Sequence, residues 1–92
     1  MAYNVRPHRV FERSVAKLPQ QLRERIFEKI DMLAAHPEII GTPMKHLPVD
    51  LKGLHKDRVG DWRIFYWVDH AKKEIVPYDV DRRDIAYKRL RT

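Results

Sequence analysis

Apolar residues in this chain keep helical spacing up to Leu33 and strand-like alternation from Leu54 onward. Residues 2–7 alternate weakly, with Tyr3 and Val5 set against Asn4 and Arg6, and predict a short first strand. Phe11, Val15 and Leu18 follow i, i+4, i+7 spacing and predict a helix over residues 8–18. Pro19 suits the first turn of a second helix, where its missing N–H costs nothing. Leu22, Ile26, Ile30 and Leu33 run an apolar stripe along that helix. His36-Pro37 should end it, because a residue before proline avoids the helical region. Residues 37–50, with Pro37, Gly41, Pro43 and Pro48, read as a long loop, the kind of segment often kept for function.

The second half predicts three strands. Residues 54–59 and 62–68 form a hairpin across Gly60-Asp61, a connection suited to a type I′ or II′ turn. In its second strand Trp62, Ile64, Tyr66 and Val68 share one face, expected to pack on the helices. Arg63, Phe65 and Trp67 share the other, and two aromatics are unusual on a solvated face. Residues 74–80 predict a further strand with Val76, Tyr78 and Val80 on one side. Pro77 removes a ladder donor, so this strand should lie at an edge or carry a bulge. Residues 83–90 read as a short C-terminal helix or a tail. The order β-α-α-β-β-β makes an α+β domain: a small, mostly antiparallel sheet with a helical hairpin on one face and an open, basic second face.

Size and charge narrow the function. Ninety-two residues make one domain, 1–92, with a thin stability margin. There is no cysteine, hence no disulfide framework and no thiolate metal site. The first residues lack the apolar core of a signal peptide, and no apolar run approaches membrane-spanning length; the cytoplasm is the expected location. The net charge of +6 divides into +4 over residues 1–25, −2 over 26–81 and +4 over 82–92. Such basic ends suit a polyanion or an acidic protein partner, or simply a soluble domain of high pI.

The hairpin concentrates candidate chemistry. Lys56 and Arg58 are two residues apart and point to one face; Arg63 joins them from across the turn. Three cations on a small sheet repel one another unless an anion lies between them, which suggests a phosphate. Lys52, Lys56, Arg58, Arg63, Arg83 and Tyr87 together suit metal-free RNA cleavage. That reaction needs a base for the 2′-OH, positive charge on the phosphorane and an acid for the departing 5′ oxygen. Arginine holds phosphate through two N–H groups and stays charged. Lysine serves as base where neighbouring cations favour its neutral form. Tyrosine can move a proton or stack on a base. On composition alone, solvated cations and a packing tyrosine are the simpler account. His8, His36, His46, His55 and His70 show no metal-ligand spacing, so neither a metal nor another cofactor is expected. His55 reads as a half-buried strand histidine and His36 as a helix C-terminal one. Asp57 falls where an apolar residue is expected, so it should be exposed or paired with His55 or an arginine.

Leu54-His-Lys-Asp-Arg-Val-Gly-Asp-Trp-Arg-Ile-Phe-Tyr66 resembles the hairpin of the RelE/ParE toxin superfamily. Asp81-Arg-Arg-Asp-Ile-Ala-Tyr87 is similar to its closing segment, and element order agrees over nearly the whole chain. The resemblance implies a RelE-like fold and the toxin of a type II toxin–antitoxin pair, neutralised by a cognate RelB-like antitoxin. RelE-type members cut mRNA in the ribosomal A site without metal, leaving a 2′,3′-cyclic phosphate; ParE-type members inhibit DNA gyrase. The RelE-type activity, with ribosome and mRNA as partners and no membrane, is the leading expectation. The alternatives are a ParE-type inhibitor and a weak homologue that only binds antitoxin. By resemblance, Arg63 contacts phosphate, Lys56 is general base or charge stabiliser, Arg83 activates the leaving group or holds phosphate, and Tyr87 orients or stacks on substrate. Arg58, Lys52 and Arg82 are further phosphate-binding candidates, and Arg82 is placed to take the role of Arg83. His55, Asp57 and Asp81 depart from the family pattern, and an acid at Asp81 bears on cleavage efficiency.

Overall fold

The computed structural model describes residues 2–82. Strand β1 (Asn4–Val5) leads into α1 (Arg9–Ala16) and α2 (Gln20–Ala35), followed by β2 (His55–Val59), β3 (Trp62–Asp69) and β4 (Glu74–Arg82). The four strands form one sheet in the order β1-β4-β3-β2. β1 runs parallel to β4, while β2–β3 and β3–β4 are antiparallel. This is the α+β architecture that the periodicity predicts. The predicted segment 83–90 lies outside the described residues. Among the described residues no helix is long and apolar enough to cross a membrane.

Local chemistry sets the helix ends. His8 caps α1: its Nδ1 accepts from the Val10 N–H at 3.1 Å, satisfying one free donor of the first turn. Pro19 sits just ahead of α2 as its cap residue, and the Lys17–Leu18 turn joins the helices. Phe11, Val15, Ile26, Ile30 and Leu33 pack on Ile64, Tyr66, Ile75 and Val80, with Leu22 and Trp62 at the margin. The i, i+4 stripes thus face one side of the sheet. Gly60 alone of the turn pair has positive φ, at 59°, the type II′ pattern of a two-residue hairpin.

The second face differs from the expected open, basic surface. Leu51 and Leu54 cover Phe65, with Met44, Leu47, Trp67 and Tyr78 packed around them. Phe65 is 1% exposed although it points away from the helices. The proline-rich loop supplies this cover: Met44 N–H donates to the Leu54 carbonyl at 2.9 Å, and Trp67 Nε1 donates to the Lys52 carbonyl at 3.1 Å. Burying a large aromatic is favourable by about 1.5–3 kcal/mol, enough to hold a loop with few regular hydrogen bonds of its own.

Pro77 lies in an interior strand rather than at an edge, and a bulge accommodates it. The β3–β4 register pairs Phe65 with Asp79 but Tyr66 with Pro77, so Tyr78 is extra. The Pro77 carbonyl accepts from His8 N–H at 2.8 Å, on the flank of β1. Its missing donor therefore faces that flank, where β1 has already ended. The bulge also breaks the predicted alternation: Tyr78 joins the Phe65 cluster while Val80 joins the helix-side core. Asp79 at the bulge is 3% exposed, and its Oδ1 accepts from Ser14 Oγ at 2.7 Å and from Val80 N–H at 2.8 Å.

His55 pairs across the sheet with Tyr66 and stacks on it at 5.3 Å between ring centroids. Burial, helped by nearby His70, lowers the His55 pKa below 6.5. Burial, with Asp57 adding to it, raises Tyr66 to about 12. These positions yield two predictions. Leu54→Ala should cost about 2–5 kcal/mol in urea unfolding, whereas Val49→Ala, at a side chain left in water, should stay within about 0.5 kcal/mol. A folded-state pKa depressed at His55 gives stability that is present above about 6.5 and lost as pH falls through the folded value. His55→Phe keeps the ring and removes the titration, so it should flatten the acid side of a stability–pH curve below 6.5.

Candidate functional site

β2 is an edge strand, so the hairpin presents its outer side to solvent. The register sets Arg58 directly opposite Arg63 and Lys56 opposite Phe65. Cross-strand partners share a face, so the three cations gather on the face away from the helices, as the two-residue spacing predicts. Lys56, Asp57, Arg58 and Arg63 line a cleft of about 330 Å³ there. Lys56 and Arg58 are exposed and Arg63 is half-buried. Like charges directly opposite each other are destabilising in a sheet. An anion seated between Arg58 and Arg63 would relieve that repulsion and could take bidentate contacts from both.

Asp57 borders the cleft but directs its carboxylate toward α2. Its Oδ1 lies 3.5 Å from Lys29 Nζ on α2 and accepts from the Arg58 N–H at 2.8 Å. Its partner is thus a helix lysine, rather than the expected His55 or an arginine. The pairing offsets part of the charge of a carboxylate that borders the cleft cations. His55 shares the helix side with Tyr66 and stays apart from Lys56, in keeping with its reading as a half-buried strand residue.

The remaining candidates scatter. Asp81 pairs with Arg63 across β3 and β4, which puts an acid on the cleft face. Its Oδ1 accepts from the Arg82 N–H at 2.8 Å. Arg82 pairs with Trp62 and its guanidinium lies 5.5 Å from that ring. Because Trp62 borders the helix-side core, Arg82 is on the face opposite the cleft. Lys52 is exposed on the covering loop, where its carbonyl holds Trp67, and it is not among the residues lining the cleft. Arg83 and Tyr87 lie outside the described residues.

The tertiary structure also assembles a group that local pattern does not reveal. His8, Trp67 and Tyr78 cluster, with centroids 5.2 Å apart for His8–Tyr78, 6.4 Å for His8–Trp67 and 4.9 Å for Trp67–Tyr78. The one signal in the sequence was Trp67 on a face expected to be solvated.

Residues 5–87 match the family model described as ParE toxin of the type II toxin–antitoxin system, parDE. Toxin RelE of Mycobacterium tuberculosis is 29% identical over 77 residues, 83% of this chain and 76% of its own. The chain is similar to the toxin–antitoxin complex RelBE2 of M. tuberculosis, with a TM-score of 0.76 and 27% identity over 90% of this chain and 93% of that one. It is also similar to an archaeal RelE–RelB complex from Pyrococcus horikoshii, with a TM-score of 0.69 and 25% identity over 91% and 98%. A mutant of E. coli toxin RelE in the free state shares the fold, with a TM-score of 0.77 and 19% identity over 98% and 95%. Hairpin, covering loop and helical pair thus fall inside a match that spans nearly the whole chain, and the chain belongs to the ParE toxin family of type II toxin–antitoxin systems, within the RelE/ParE superfamily.

Proposed function

We propose that this toxin is a ribosome-dependent endoribonuclease that cuts mRNA in the A site and is held inactive by a RelB-like antitoxin. The observation that carries this reading is the Arg58–Arg63 cross-strand pair with Lys56 beside it, on an exposed face. A gyrase-binding surface has no need of convergent cations in a cleft; a phosphorane does. Similarity to a protein named Toxin RelE adds support. The antitoxin is proposed because two of the similar structures are complexes with RelB-type partners. Ribosome and mRNA place its action in the cytoplasm.

In this mechanism a base takes the proton of a 2′-OH, and the oxygen attacks the adjacent phosphorus. The P–O5′ bond breaks, giving a 2′,3′-cyclic phosphate and, after proton transfer, a 5′-OH. Arg63, half-buried and therefore better fixed, holds the phosphate and the charge that builds on it. Lys56 serves as base or as a second charge stabiliser, and Arg58 binds phosphate from the facing strand. Arg83 is assigned to the leaving group and Tyr87 to orienting or stacking on the substrate. Lys52 is assigned to RNA backbone outside the cleft. No cofactor enters this scheme.

One observation favours a second reading: the family model that matches is described as ParE, so inhibition of DNA gyrase is the alternative. Primer extension on a reporter mRNA in reconstituted translation separates the two. Cuts within A-site codons only when ribosomes are present support the endonuclease; absence of cuts with loss of gyrase supercoiling supports the inhibitor. Arg63→Ala should lower cleavage by about 10²–10³-fold while leaving the urea midpoint near that of the wild type. Unchanged cleavage by a folded Arg63→Ala protein would remove Arg63 from the mechanism. Cleavage should also persist in chelator once ribosomes are kept intact by a polyamine, and a loss restored by a divalent ion alone would contradict the proposed chemistry.

A further inference from the structure

We propose that the cleft at the far end of the same sheet face is a base-binding subsite for the RNA strand whose phosphate sits between Arg58 and Arg63. This rests on the endonuclease reading and adds a second contact to it. The cleft has a volume of about 490 Å³, and Arg6, His8, Trp67, Asp69, His70 and Val76 contribute to its lining.

The side chains are arranged for a planar ligand. Trp67 is held by its Nε1–Lys52 carbonyl hydrogen bond at 3.1 Å and leans on Tyr78 at 4.9 Å, so its indole is fixed before anything binds. His8 Nδ1 accepts from the Val10 N–H, which leaves the proton of the neutral ring on Nε2 as a donor. Val76 adds an apolar contact. A nucleobase needs this combination: an aromatic face to stack on and donors or acceptors at its edge.

Charge favours the base over its phosphate inside the cleft. Asp69 lines it, and Glu74 stands nearby, 3.3 Å from Arg6 Nε. Carboxylates repel phosphate but accept from the exocyclic amino groups of adenine, cytosine or guanine. The phosphate is left to Arg6, whose side chain is 60% exposed. Position favours the same strand of RNA. Trp67 is four residues along β3 from Arg63 on the same face, about 13 Å away, within reach of a short run of nucleotides. An RNA so bound would pass over the loop that covers Phe65, from the cationic cleft to the aromatic one.

The test is fluorescence anisotropy of a labelled single-stranded oligoadenylate, at low salt, with the full-length toxin. It is paired with A-site cleavage in reconstituted translation. Trp67→Leu keeps an apolar side chain on the Phe65 cluster. His8→Asn keeps an acceptor at the α1 cap while removing the ring. Each variant, verified as folded by its urea midpoint, should bind oligoadenylate about 5- to 100-fold more weakly. Each should also lower cleavage or alter its codon pattern. Inorganic polyphosphate, which has no bases, should bind both variants as it binds the wild type. Wild-type affinity and an unchanged codon pattern in both folded variants would overturn the subsite. So would an effect limited to antitoxin binding, which would assign the cleft to a peptide. The two readings fail separately. Base binding lost in Trp67→Leu, in a protein that never cuts mRNA, would sustain the subsite and sink the endonuclease. Cleavage abolished by Arg63→Ala but untouched by Trp67→Leu and His8→Asn would do the reverse.

Discussion

β3 must be buried on both faces, and the rest of the molecule follows from meeting that requirement. It is an interior strand with Ile64 and Tyr66 on one side and Phe65 on the other, all buried. The helical hairpin covers only the first side. A strand with large aromatics on its second side would leave them in water unless another segment closed over them. The loop after α2 does so through Leu51 and Leu54, and Leu54 is 0% exposed. The loop thus has a structural task, and its prolines limit the entropy lost in ordering it. It stops short of the turn end of the hairpin, and there the cations of β2 and β3 meet solvent.

That boundary between covered and uncovered sheet organises the charge. Arg58 and Arg63 are forced together by register, at a cost in the free protein. Under the proposed function a bound phosphate would offset that cost. The neighbouring acids are handled in two ways. Asp57 is drawn off to Lys29 across the edge of the sheet. Asp81 stays opposite Arg63 on the cleft face, where a carboxylate weakens the positive field. Under the proposed function an acid at that place would temper phosphate affinity, and it is one of the positions where this chain departs from the family pattern.

The fold itself is shared by proteins named for RelE and by a family model named for ParE. Shared architecture therefore carries no decision about target, which must be argued from the side chains on the second face. Those side chains form two groups, a cationic cleft at the turn and an aromatic one at the other end of β3. In the proposed reading such a surface would hold a strand by phosphate at one point and by base at another, combining affinity with position.

Element order, both helices, the hairpin with its turn, and the grouping of Lys56, Arg58 and Arg63 were legible because each rests on contacts a few residues apart. Helical stripes and strand alternation are local periodicities, and a two-residue turn fixes the register beside it. Pro77 announced its bulge for the same reason, since a missing donor is a property of one residue. What the loop covers, which partner Asp57 finds, the move of Arg82 to the helix side, and the meeting of His8 with Trp67 and Tyr78 were decided only by the tertiary structure. Each depends on segments far apart in the chain. The bulge at Tyr78 adds a single residue, and that reverses the face of every side chain beyond it.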